Sequence, residues 1–375
     1  RLSRVKTDVV RRLRPWELDQ FNSGGDPMHI GLLNMYSTRN LGDAAIYAAL
    51  AAMSPGESVS GPLQEERPTP VRGLLRGASL RPCNGFVSVG GDIFNNARPR
   101  LVTRRFLQNV NALRAAPSST MLFGQSIPRS CRNLAFVGLA QTLKSLGYVA
   151  VRDRESHDRL TAAGVRAELT FDTAFALPPQ RHARAEALRL FTVAGLHSEK
   201  TILVSLRNQS GLYAENGGEE QILSIAQALT RRGHQIGLLI QADGDSADSD
   251  RFLARRIQQA IPESRILDPF ECAAPHEPWA VLSALLGLAR AVVAVRYHAA
   301  VLRMVEGRQP FVLSYSNKGE DLCRRLNQPG STLGAGDVSS LVTQIEASAE
   351  CDFDAATVRA DVLSHYSNGL SRIAA

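Results

Sequence analysis

From His29 onward, short apolar runs alternate with longer stretches whose apolar residues recur at helical spacing, the pattern of parallel strands joined by crossover helices. In the first half the predicted strands are Ile30–Leu33, Phe86–Val89, Met121–Phe123 and Tyr148–Val151. Helical patterns cover Gly42–Met53, Leu101–Leu113, Asn133–Leu146 and Glu155–Ala163. Pro178-Pro179 and the charged stretch Arg181–Arg189 break the alternation and mark a domain junction. It restarts with strands at Thr201–Leu206, Gln235–Ile240, Arg265–Leu267, Ala291–Val295 and Phe311–Ser314. The expectation is an α/β protein of two Rossmann-like, doubly wound domains, residues 1–180 and 181–375, facing a cleft. Open α/β sheets bind ligands beyond the carboxyl ends of their strands, so function is expected in the strand-to-helix loops. The last segment, Asp354–Ile373, has helical spacing and is read as packing back across the domains.

A length of 375 residues suits two domains of ordinary size. Hydrophobic residues at 44% and charged residues at 21% fit a globular chain. The longest apolar stretch, Leu282–Val295, is interrupted by Arg290 and falls short of the roughly 18 to 20 residues of a membrane span, so none is predicted. Arg-rich residues 1–20 lack a signal-peptide core, and the five cysteines form no CxxC pair, which disfavours secretion, a disulfide framework and a zinc site. A cytoplasmic protein is expected, with the inner membrane face as an alternative setting. The net charge of +7 favours anionic partners. Nucleic acid is not among those expected: there is no finger spacing or RNP-like strand, and aromatics are 6% of the chain. The basic run Arg1–Arg14 reads as a solvated terminus, with peripheral contact to an anionic membrane or acceptor as the alternative.

Candidate chemistry clusters after the strands. Asn40-Leu41-Gly42-Asp43 opens a helix, where Asn40 or Asp43 serves as a cap or Gly42 admits a ligand to Asp43. Gly90-Gly91-Asp92 reads as a tight turn or a backbone N–H cradle, and Gly124-Gln125-Ser126 is a turn carrying polar groups. Arg152-Asp153 is an ion pair or a helix start, and Asp172 again places an acid after a short strand. Any of Asp43, Asp92, Asp153 and Asp172 has the chemistry of a base toward a hydroxyl. The strongest signal is Arg296-Tyr297-His298 after an apolar strand. If the chain stays extended, Arg296 and His298 face the same way, an anion-binding fork beside a proton-transfer group. With Arg207 and Lys318, three cations at strand ends of one domain suit a small, multiply charged anion. After the first strand, Asn34-Met35-Tyr36-Ser37 lacks the GxGxxG turn of a dinucleotide oxidoreductase.

In their order and spacing over Ile30–Leu326, these motifs together with Ser156 and Tyr315 resemble the polysaccharide pyruvyl transferase family. The resemblance implies a GT-B-like architecture, phosphoenolpyruvate as donor substrate and a saccharide acceptor, free or lipid-linked; neither a metal nor a further cofactor is expected, because the cations supply the charge and no carboxylate cluster of clear ligand spacing is present. It places Arg207, Arg296, Tyr297 and Lys318 at the donor and makes His298 the general acid, with Asp43 and Asp172 as further catalytic candidates. Asn40, Gly42, Gly90, Gly91, Asp92, Gln125, Ser126, Arg152 and Asp153 would face the acceptor. The chain departs from the family pattern at Ala44, Asp92 and Pro128, all on the acceptor side. The rival readings are a GT-B glycosyltransferase using a nucleotide sugar and a binding protein of the same fold without turnover.

Overall fold

The computed structural model describes residues 30–35, 39–54, 59–60, 83–96, 101–207, 218–243 and 249–374; the basic run Arg1–Arg14 lies outside them. Two compact units emerge. The first holds residues 30–35, 46–177 and 358–374, the second residues 39–45 and 178–357. Two segments therefore escape a single cut near Pro178: residues 39–45, the start of the first described helix, group with the second unit, and the C-terminal helix groups with the first.

The first unit is built on strands β1 (Ile30–Leu33), β2 (Val59–Ser60), β3 (Gly85–Ser88), β4 (Thr120–Gln125), β5 (Tyr148–Val151) and β6 (Glu168–Leu169). They form one parallel sheet in the order β2-β1-β3-β4-β5-β6, so the chain reverses its direction of winding between β1 and β3. Helix α1 (Leu41–Met53) follows β1, α2 (Arg104–Leu113) follows β3, α3 (Asn133–Leu143) follows β4 and α4 (Arg154–Ala162) follows β5. Helix α2 starts three residues later than its sequence pattern, because the Thr103 side chain accepts the Phe106 N–H and caps it.

Side-chain alternation along β4 sorts the layers. Leu122 joins Phe106, Val110, Leu139 and Leu160 in the core under α2, α3 and α4. Met121 and Phe123 face the other way, toward the C-terminal helix α12 (Ala356–Ile373). That helix buries Val358, Val362, Tyr366, Leu370 and Ile373 along one stripe. Tyr366 meets Phe123 edge-on at 5.2 Å and shares a 2.7 Å hydrogen bond with Ser54. Gly369 lets α12 approach the sheet, since a Cβ there would lie 2.6 Å from Met121 Sδ and 2.8 Å from the Tyr148 ring. Thr170 and Tyr148 add hydrogen bonds to Asp361 and His365.

The second unit contains β7 (Thr201–Ser205), β8 (Gln235–Leu239), β9 (Arg265–Leu267), β10 (Ala291–Ala294), β11 (Phe311–Ser314) and β12 (Gly330–Thr332). All are parallel, in the order β12-β11-β10-β7-β8-β9, the strand order of a dinucleotide-binding Rossmann sheet with its reversal between β7 and β10. Helices α5 (Arg184–Val193), α6 (Gly218–Arg231), α7 (Asp250–Ala260), α8 (Pro278–Leu288), α9 (Tyr297–Val305), α10 (Asn317–Leu326) and α11 (Val338–Ser348) complete the unit. Ile202, Val204, Ile225, Leu238, Ile257, Val293 and Leu313 lie in its main core.

Arg303 of α9 is fully buried and donates to the carbonyls of Leu286, Ala289 and Arg290, capping the end of α8 from within the protein. Burial, with Arg308 nearby, pushes its pKa down to about 9, so it remains charged at neutral pH.

Tyr366→Phe should lower the unfolding free energy by about 1 kcal/mol by removing the bond to Ser54. Tyr366→Ala should cost about 3–5 kcal/mol through the cavity it leaves under β4. Urea unfolding of the two variants beside the parent chain checks both values.

Candidate functional site

Three adjacent strands of the second unit, β7, β10 and β11, end on the same edge of the sheet, and each delivers chemistry there. Arg207 follows β7, Arg296-Tyr297-His298 follows β10, and Tyr315 to Lys318 follow β11. The reversal point between β7 and β10 thus lies between Arg207 and Arg296.

Helix α9 begins at Tyr297 with Arg296 as its cap residue, at φ −77° and ψ 133°, so the chain does not stay extended through Arg296-Tyr297-His298. The expectation that Arg296 and His298 point the same way because of strand alternation is therefore corrected. Arg296 turns down into the protein. Its backbone N–H donates to Ser205 Oγ at 3.1 Å and its Nε to Leu206 O at 2.7 Å. Its guanidinium is gripped by Asp250, with Nη2 to Oδ1 at 2.6 Å and Nε to Oδ2 at 3.0 Å. Asp250 is fully buried, and its Oδ2 also accepts the N–H groups of Gln241 at 3.0 Å and Ala242 at 2.9 Å. Burial pushes the Asp250 carboxyl up, while Arg296 and the two backbone N–H groups pull against it.

His298, 7% exposed, points instead at the start of α1. A Cβ on Gly42 would fall on its imidazole, 2.7 Å from the His298 Cβ, so residue 42 must be glycine for the ring to sit there. The segment carrying Gly42 is anchored to the loop after β8: Leu41 N–H donates to Gln241 O at 3.0 Å, and Asp243 N–H to Arg39 O at 2.9 Å. Asn40 caps α1, its Oδ1 accepting the Gly42 N–H at 3.1 Å, and Asp43 lies half-buried in the first turn. Asn40 and Gly42, expected at the acceptor, and Asp43, expected as a catalytic residue, are grouped by the fold with His298 and Arg296 in the second unit.

The remaining cations stand over aromatic rings. The Arg207 guanidinium lies 4.5 Å from the centroid of Tyr315, and Lys318 Nζ lies 5.6 Å from that of Tyr297. Tyr297 meets His298 edge-on at 5.5 Å. Sequence reasoning missed Asp250. It sits at the end of the polar run Ala242–Asp250, and its only signal was that the apolar helical pattern of Leu253, Ala254 and Ile257 begins just after it.

The polar strand ends of the first unit form a different arrangement. Arg152 is buried and donates from Nε to Ser126 Oγ at 2.8 Å, from Nη1 to Asp172 Oδ2 at 2.5 Å and from Nη2 to Asp92 Oδ1 at 3.1 Å. Asp172 is fully buried, with its other oxygen on the Ala174 N–H at 2.9 Å, so its carboxylate is a counter-ion for Arg152 and is not presented to a hydroxyl. Asp153 caps α4, accepting from the Ser156 N–H and hydroxyl, both at 2.8 Å, and is likewise turned inward. Gln125 Nε2 donates to Ser88 and Val89. Gly91 pairs with Gln125, and Gly90 packs so closely on Gly124 that a Cβ would lie 2.8 Å from its carbonyl oxygen. Of the residues expected at the acceptor in this unit, Asp92 is the one with an exposed surface.

Among the described residues no group of three or more His, Cys, Asp or Glu is placed to hold a metal. No helix described is long and apolar enough to cross a membrane.

A family model described as polysaccharide pyruvyl transferase matches residues 40–317, from the cap of α1 to the start of α10. No curated protein sequence matches the chain. Among solved structures, the UDP-GlcNAc 2-epimerase from Methanocaldococcus jannaschii is similar at a TM-score of 0.53 and 10% identity, over 89% of this chain and 98% of that one. The α,α-trehalose 6-phosphate synthase from Burkholderia multivorans is similar at 0.51 and 11%, over 92% of this chain and 94% of that one. At such identities the likeness is one of fold, and it agrees with the GT-B-like architecture that the family resemblance implies.

Asp250→Ala should destabilise the protein by about 3–5 kcal/mol, because it strands a buried guanidinium, and Asp250→Ala with Arg296→Met should recover much of that loss. Chemical denaturation of the single and double variants checks the pair. Gly42→Ala should displace the His298 ring, read as a shifted imidazole resonance by NMR.

Proposed function

The chain belongs to the polysaccharide pyruvyl transferase family, and from that premise we propose that it transfers pyruvate from phosphoenolpyruvate to two hydroxyls of a saccharide, forming a ketal. The observation that carries this reading is the set of cations at the carboxyl ends of β7, β10 and β11, gathered around the reversal point of one sheet. Phosphoenolpyruvate carries a carboxylate and a phosphate on one small enol, and planar guanidinium forks suit both groups. Arg207 and Lys318 are assigned to the two anionic groups. Arg296, aimed by Asp250, lies between them with the N-terminus of α9, whose dipole also favours negative charge.

The chemistry needs a proton on the methylene carbon. His298 donates it, and the C2 centre becomes oxocarbenium-like. A saccharide hydroxyl adds to C2 and gives its proton to a base, for which Asp43 is the candidate because the fold joins it to His298 through Gly42. The C2–O bond to phosphate then breaks, and phosphate leaves with the electron pair. A second hydroxyl closes the ketal, and its proton returns to His298. The base passes the first hydroxyl's proton to the phosphate as it leaves, and so returns to its starting state. Arg207 and Arg296 stabilise the leaving phosphate by charge. In the first unit, Arg152, Asp153 and Asp172 hold the loop region that carries Asp92 in shape.

Incubation with phosphoenolpyruvate and a panel of saccharides in D2O should release inorganic phosphate and give a pyruvyl methyl group carrying one deuterium. His298→Asn should slow phosphate release by about 100- to 10,000-fold. Release of nucleotide from UDP- or GDP-sugars, with none of phosphate from phosphoenolpyruvate, would replace this reading with glycosyl transfer.

A further inference from the structure

Helices α2 and α3 lie side by side on the first sheet, each burying one side in the same core. The loops before them are joined where Ser130 bonds to Asn95 at 2.7 Å and to Asn96 at 3.4 Å, and Arg114, just after α2, reaches Thr142 of α3 at 3.0 Å. Their outward faces combine two properties that soluble surfaces normally keep apart.

The first is exposed apolar surface. Leu134 of α3 is 76% exposed and Val137 is 56%, while Leu101 and Leu107 around the start of α2 are 62% and 42%. These are four of the seven large apolar side chains most exposed among the described residues. Helix α3 has no charged residue in its eleven positions, although a surface helix ordinarily turns charge to solvent. The second property is charge of a single sign. Residues 101–146, which carry the two helices, contain six Lys and Arg and no Asp or Glu. Arg104, Arg132 and Lys144 are exposed and make no ion pair among the described residues; Arg129 pairs with Glu155, from α4, at 2.6 Å. An ordinary solvated surface intersperses both signs.

Leucine and valine side chains amid unpaired cations match the boundary between anionic headgroups and acyl chains. Nucleic acid would match the charge but not the exposed aliphatic groups. We propose that the α2–α3 face docks on an anionic lipid bilayer, with Leu101, Leu107, Leu134 and Val137 entering the interface and Arg104 and Arg132 among the headgroups. Helix α2 starts beyond the carboxyl end of β3, as the Gly90–Asp92 loop does, so docking brings that edge of the unit toward the membrane surface. The inference does not depend on the donor chemistry.

The test is co-sedimentation of the full chain with vesicles of 70:30 phosphatidylcholine and phosphatidylglycerol, and with pure phosphatidylcholine, at low salt. Binding is expected to the first and not the second, and to fall as salt is raised. Leu134→Glu with Val137→Glu should reduce it at least tenfold. Arg104→Gln with Arg132→Gln should reduce it about fivefold for each charge. Leu134→Trp should shift its fluorescence to the blue on the anionic vesicles, a readout that requires a folded, docked chain. No sedimentation with anionic vesicles would overturn the proposal. So would binding untouched by both double substitutions, which would assign it to the Arg1–Arg14 run, or self-association abolished by Leu134→Glu with Val137→Glu in a chain that ignores vesicles.

Discussion

Arg296 and Asp250 bury opposite charges against each other at the point where the second sheet reverses its winding, and the surrounding geometry follows from the need to satisfy them. An unpaired carboxylate in that position would be prohibitively costly, so Asp250 also takes the N–H groups of Gln241 and Ala242. The carbonyl of that same Gln241 accepts from Leu41, which sets the start of α1. From there Gly42 leaves room for His298, two residues beyond Arg296. The circuit closes on itself. A buried ion pair of this kind is weak evidence for stability as such; its consequence here is positional, because it fixes a guanidinium, an imidazole and a helix start relative to one another.

Arg152 has the corresponding place in the first unit, where one buried guanidinium gathers Ser126, Asp172 and Asp92 from three loops. The two arrangements differ in what they leave open. Around Arg152 the polar atoms are largely spent on one another, and the exposed group is Asp92. In the second unit, Arg207 and Lys318 are only half-buried and lie over tyrosine rings, which help to orient each cation.

The strand and helix order was legible in the sequence because buried parallel strands such as Ala291–Val295 are continuous apolar runs, a signal that survives without tertiary context. The short edge strands Val59–Ser60, Glu168–Leu169 and Gly330–Thr332 were not, since two or three residues carry no periodicity. The site divided along similar lines. Arg207, His298 and Lys318 stand out in the sequence because they come within a few residues of the ends of apolar strands, and the structure places them after β7, β10 and β11. Asp250 was not, because an acid at the end of a polar loop looks like any helix start until the buried arginine it serves is seen. The directions of Arg296 and His298 depended on where α9 begins, one residue earlier than strand alternation assumes. Arg303 carried no signal at all, for its partners are carbonyls at the end of another helix.

In the proposed reaction the carboxyl edge of the second sheet takes a small donor that carries two anionic groups. Calorimetric titration of phosphoenolpyruvate into the parent chain and into Arg207→Ala, with UDP- and GDP-sugars as parallel ligands, tests it most directly. Binding of phosphoenolpyruvate should be saturable and weaken about 10- to 100-fold in the variant, the loss expected for a charge-assisted contact. Absence of phosphoenolpyruvate binding alongside clear binding of a nucleotide sugar would contradict it.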